Sequence, residues 1–72
     1  MRGAITRVRE IPDVGFEVVR DSATRGRYAI GFRLHAEEAN DLARESYELE
    51  RCFHLLNPTA PGPVLELWEP EA

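Results

Sequence analysis

Cys52 and His54 are the residue types best able to ligate a metal or to pair a nucleophile with its base. They sit two positions apart in a helical pattern, where side chains diverge by about 200° and cannot converge on one atom. His35 lies at the other end of the same segment. Zinc needs three or four ligands at compatible spacing, so no metal and no cofactor is expected. Cys52 reads instead as a small residue beside the core. Glu37, Glu38, Asp41, Glu45 and Glu48 add a row of carboxylates. Acid–base chemistry would need a cleft that drives their pKa values apart, and a solvated helix flank offers none. Glu38, Asp41, Glu45 and Glu48 are therefore candidates for docking a basic partner. Gly26 and Gly31 lack the close spacing before a helix that a phosphate cradle requires. No catalytic residue is assigned, and the chain is expected to be no enzyme.

Arginine is the second source of chemistry. Lysine and glutamine are absent, and all nine fixed positive charges are arginine, which pairs bidentately and stacks where lysine does not. A GC-rich genome accounts for the same bias. The first 35 residues carry seven arginines against four acids, and the remainder two against nine, so +3 faces −7 within a net −4. Such asymmetry fits either a basic binding face and an acidic one, or two halves that attract each other within a monomer or across a dimer. Arg7, Arg9, Arg25, Arg27 and Arg33 form the candidate set for nucleic acid. Sheet platforms for nucleic acid interleave aromatics with the cations; the outward positions expected here, Gly15, Glu17, Val19, Ala29 and Gly31, hold none.

The elements that carry these residues follow from apolar periodicity. Residues 4–10 read as a strand, Pro12-Asp13 as a turn, and residues 14–20 as a second strand with Val14, Phe16 and Val18 inward. Gly26 is free to take a positive φ in the next turn. The alternation Tyr28-Ile30-Phe32-Leu34 marks a third strand over 27–34, with those four side chains on the buried face. Consistent registers place Val18 opposite Ile30, Phe16 opposite Phe32, Val14 opposite Leu34, Val8 opposite Phe16 and Thr6 opposite Val18. The outer face then sets Arg7 against Glu17, with Arg33 diagonal to it and Ile5, Val19 and Ala29 as a small apolar group.

The helical pattern spans about 36–56. Ala39, Leu42, Ser46, Leu49, Phe53 and Leu56 recur at steps of three and four and form one stripe. His35 is a weak N-cap, the early acids suit the dipole, and Asn57-Pro58 ends the helix with Asn in a left-handed cap. The helix is longer than the strands and is expected to overhang them. Residues 57–63 form a proline-rich linker, and 64–68 a short last strand with Leu65 and Leu67 on one face and Val64 and Trp68 on the other. The tail from Glu69 is expected to fray.

The fold class expected is α+β: a three-stranded antiparallel meander packed on one long helix, followed by a short C-terminal strand, in the order β-β-β-α-β over one domain, 1–72. Small antitoxin domains of the HicB type share that element order, a likeness of order alone, because their glycine-rich acidic loop signature is absent. A ribbon-helix-helix regulator is excluded by two preceding strands and by a helix that runs on past three turns.

At 72 residues the chain buries only about 60% of its unfolded surface, so oligomerisation is a natural remedy for marginal stability. One cysteine excludes an internal disulfide and fits a reducing compartment. There is no signal-peptide core and no membrane-length apolar run, so a cytoplasmic, complete small gene product is expected. The functional expectation is a non-enzymatic interaction module that binds a larger protein, as inhibitors, antitoxins, phage-encoded effectors and accessory subunits do. It is expected to act as a homodimer, with Val64 and Trp68 on an exposed edge. A nucleic-acid-binding regulator using the arginines is the alternative.

Overall fold

The computed structural model describes residues 3–22, 24–59 and 61–70. The expectations for the tail at Glu71 and Ala72, and for positions 23 and 60 of the two connections, fall outside them. Four strands and one helix follow in order: β1 (Ile5–Ile11), β2 (Gly15–Ser22), β3 (Gly26–Arg33), α1 (Ala36–Leu56) and β4 (Val64–Glu66). The expected α+β arrangement is present, and all four strands join one sheet of order β3-β2-β1-β4. β4 pairs in parallel with β1, setting Ile5 against Val64 and Arg7 against Glu66. The last strand thus closes the sheet of its own chain.

Local chemistry explains the boundaries. Val14 N–H donates to Ile11 O at 3.0 Å across Pro12-Asp13, and Asp13 takes φ +63°. Proline at the second turn position and a positive φ at the third give a type II-like turn. Val14 therefore lies in the turn and is exposed, not inward as expected. Gly26 opens β3 at φ +72°, the freedom its lack of Cβ allows. His35 enters the helix without a side-chain cap. Asn57 ends it with N–H bonds to Phe53 O and His54 O, but at φ −136° it is not the left-handed cap expected.

The core lies between the sheet and the first half of α1. Val18, Ala39 and Ala43 are fully buried, and Val8, Phe16, Ile30, Leu42, Leu65 and Leu67 pack on them. Two registers differ from expectation. Val8 faces Val18 and Thr6 faces Arg20, a two-residue slip that keeps every side chain on its expected face. Between β2 and β3 an irregularity at Val18/Val19 leaves Ile30 unpaired: Ala29 opposes Val19, but Gly31 opposes Val18 and Phe32 opposes Glu17. One extra residue reverses the alternation beyond it. Gly31 turns to the helix, where a Cβ would lie 2.9 Å from Leu42 Cδ2. Phe32 turns to the outer face, over Gly15, and is correspondingly exposed. Leu34 falls beyond the strand and is exposed.

Candidate functional site

At about 1.5 Å per residue the 21-residue helix is roughly 31 Å long, whereas an eight-residue strand reaches about 26 Å. Its apolar stripe consequently divides. Ala39 and Ser46 are buried and Leu42 is half-buried, whereas Leu49, Phe53 and Leu56 are 62%, 67% and 84% exposed. The second half of the stripe, expected in the core, is left uncovered. Leu55 is exposed as well, on the far side of the helix. Isolated apolar side chains on a surface are ordinary, but a contiguous set at helical spacing is not.

Beneath this end of the helix Arg20 rises from β2. Its position, opposite Thr6 on one side and Tyr28 on the other, faces the helix. Its Nη1 lies 2.9 Å from Glu50 Oε1 and donates to Tyr28 Oη at 3.4 Å, and its Nη2 donates to the Ser46 carbonyl at 3.1 Å and to Ser46 Oγ. The Arg20 side chain is only 13% exposed. A largely buried guanidinium needs this many acceptors, because an unmatched charge there is costly.

The five arginines singled out for nucleic acid do not act together. Arg7 pairs with Glu66 at 3.3 Å, Arg9 with Glu17 at 2.8 Å and Arg27 with Asp21 at 3.0 Å. The outer face is thus a ladder of cross-strand ion pairs. Glu17 opposes Arg9, and Arg7 opposes Val19, correcting the expected Arg7–Glu17 pair. Arg33 follows Gly31 onto the helix side and donates to Phe32 O, so it is not diagonal to Glu17 on the outer face. Arg25 and Arg33 have no carboxylate partner among the described residues. On the helix, Asp41 pairs with Arg44 and Glu48 with Arg51, whereas Glu38 and Glu45 are exposed and make no ion pair among the described residues.

Val64 and Trp68 part company. Val64 N–H donates to Ala4 O at 2.9 Å. Trp68, beyond the end of β4, meets Phe16 edge-on with ring centroids 5.1 Å apart. That contact places the indole on the helix side of the sheet, half-buried, rather than on an exposed face shared with Val64. Cys52 is exposed, and among the described residues no three His, Cys, Asp or Glu side chains are grouped to hold a metal ion. Among them too, no helix is long and apolar enough to cross a membrane.

The chain matches no family model, no curated protein and no solved structure.

Sequence reasoning missed the Arg20–Glu50–Ser46 cluster, although its signal was present. Arg20 continues the inward alternation of Phe16 and Val18, and an inward arginine must meet a carboxylate from the element above it. Glu50, one turn after Ser46, is the acid beside the stripe that can supply one.

Proposed function

We propose that the chain is a non-enzymatic protein-interaction module of the reducing cytoplasm. It works as a homodimer and binds a larger protein in the manner of an inhibitor or accessory subunit. The observation that carries this reading is the exposed second half of the α1 stripe, Leu49, Phe53 and Leu56. Apolar helix faces at this spacing are what groove-binding and helix-pairing partners recognise, and covering one adds burial that a 72-residue chain lacks. Glu38 and Glu45, unpaired along the same helix, supply a negative rim for a basic partner. Trp68 is engaged with Phe16 in its own chain, so the contact surface moves from the Val64/Trp68 edge to this end of the helix.

Sedimentation and native mass spectrometry at micromolar concentration test the reading, with Phe53→Asp and Leu56→Asp as variants. The wild type is expected to be dimeric, and both variants monomeric with unchanged circular dichroism, because neither side chain is buried in the monomer. A wild type that is strictly monomeric removes the homodimer. Variants that keep every association of the wild type remove the stripe as the contact surface.

A further inference from the structure

The turn from β2 to β3 folds back on its own hydroxyl. Ser22 Oγ accepts from the N–H of Thr24 at 3.3 Å and of Arg25 at 3.4 Å, and lies 3.2 Å from Thr24 Oγ1. This turn, the start of β3 and the second half of α1 enclose an open cavity of about 470 Å³, lined by Arg20, Ser22, Thr24, Arg25, Tyr28 and Phe53, with Glu50 and Ala4 completing the wall. Its volume falls within the range of small-ligand sites, about 300–1,000 Å³.

The charges on the wall do not cancel. Arg20 is matched by Glu50, whereas the Arg25 guanidinium has no hydrogen-bond or ion-pair partner among the described residues. One positive charge and three hydroxyls, of Ser22, Thr24 and Tyr28, are thus held around one space. A cation would meet Arg25 unfavourably, and an apolar guest would strip water from the hydroxyls without replacing it. An oxyanion satisfies both, because a guanidinium offers two parallel N–H donors to a carboxylate or phosphate. Tyr28 and Phe53 line the same cavity, and aromatic side chains are suited to stacking on a flat group.

We propose that this cavity binds an oxyanion, a phosphate monoester or a carboxylate, carried on an aromatic ring. Arg25 and the one Ser22/Thr24 hydroxyl proton not used in their mutual hydrogen bond hold the anion, and Tyr28 and Phe53 hold the ring. Arg20, tied to Glu50 and Ser46, positions Tyr28 through its hydrogen bond to the phenol oxygen. The site shares Phe53 with the exposed stripe, and its other residues lie outside that stripe.

Titration of the 15N-labelled full chain with phenyl phosphate, followed by amide chemical shifts, tests the site; benzoate, inorganic phosphate and phenol serve as comparisons. Saturable shifts are expected at Ser22, Thr24, Arg25, Tyr28 and Phe53. Phenol should give none, and inorganic phosphate should bind about tenfold more weakly, the loss of one stacked ring. Arg25→Ala should weaken phenyl phosphate about tenfold or more, the loss of a charge-assisted pair, with the rest of the spectrum unmoved. The stronger of phenyl phosphate and benzoate names the anion. Absence of saturation with both, shifts centred on Arg7 and Arg9 instead, or an unchanged affinity in Arg25→Ala each overturns the proposal. Because Phe53 belongs to both surfaces, wild type and Arg25→Ala are compared in the same oligomeric state, which Arg25→Ala leaves unchanged because the helix stripe is intact.

Discussion

Asn40 holds the backbone of Trp68 at two points: its Nδ2 donates to the Trp68 carbonyl at 3.0 Å, and its Oδ1 accepts the Trp68 N–H at 3.0 Å. A side-chain amide here does what a neighbouring strand would do, and continues the closure of the sheet after β4 has ended at Glu66. Replacing Asn40 by Ala leaves both backbone groups unmatched in a half-buried site, a loss of about 1–3 kcal/mol. Chemical denaturation should show that loss, and tryptophan emission should move to the red as the indole leaves Phe16. Unchanged emission would mean that the Phe16 contact alone fixes the ring.

Glu50 is expected to matter more than its position near the exposed end of the helix implies. Glu50→Ala removes the only carboxylate on Arg20 among the described residues, and should destabilise by about 1.5–3 kcal/mol, the range for hydrogen bonds to charged groups. Removing Arg20 as well should cost less than the sum of the two single changes, since each alone strands the other. A double-mutant cycle by urea titration reads this directly; additive losses would show the pair to be independent.

Gly31 and Gly26 make a contrasting pair. In Gly31→Ala the new methyl meets Leu42 Cδ2 at 2.9 Å, the end of a flexible side chain that can turn aside, for a rotamer cost of about 0.5–1.5 kcal/mol. Gly26→Ala meets nothing within 4 Å but keeps φ +72°, for a backbone cost of about 1 kcal/mol. Both variants should lower the thermal midpoint by similar, small amounts; a much larger fall in Gly31→Ala would show that Leu42 cannot turn aside.

The outer ladder predicts weak responses. Arg9 and Glu17 pair on a largely open surface, with side chains 58% and 26% exposed, and such pairs contribute about 0–1 kcal/mol. Arg9→Ala should therefore shift stability by less than about 1 kcal/mol. Because Arg7, Arg9 and Arg27 are each already matched by an acid, the sheet should show no steeply salt-dependent affinity for duplex or single-stranded nucleic acid. Fluorescence anisotropy across a salt series would detect the contrary.

The architecture was readable because its signals are periodic: inward residues in β1 and β2, and an unbroken 3–4 stripe bounded by Pro58 in α1, specify faces without knowledge of the partner element. The β3 bulge was not readable. Tyr28-Ile30-Phe32-Leu34 alternates without fault, yet the irregularity at Val18/Val19 leaves Ile30 without a partner and reverses Phe32, and nothing in the strand's residue pattern marks the place. Trp68 was misplaced for a related reason: two-residue alternation holds only while a strand lasts, and β4 stops at Glu66. The candidate cavity depends on a turn folding toward a helix that is distant in sequence, and no local pattern encodes that.

The position of β1 between β2 and β4 has a consequence for how the chain is made. β1 precedes both of its sheet neighbours in the chain, and the second, β4, follows only after β2, β3 and α1. Until Val64–Glu66 pairs with Ile5–Arg7, that stretch of β1 is an open edge to any extended polypeptide nearby. Its contacts span nearly the whole length of the chain, so closure belongs to the late, slow part of folding. A nascent or truncated form without β4 would keep its hairpins and be left seeking a strand along Ile5–Arg7.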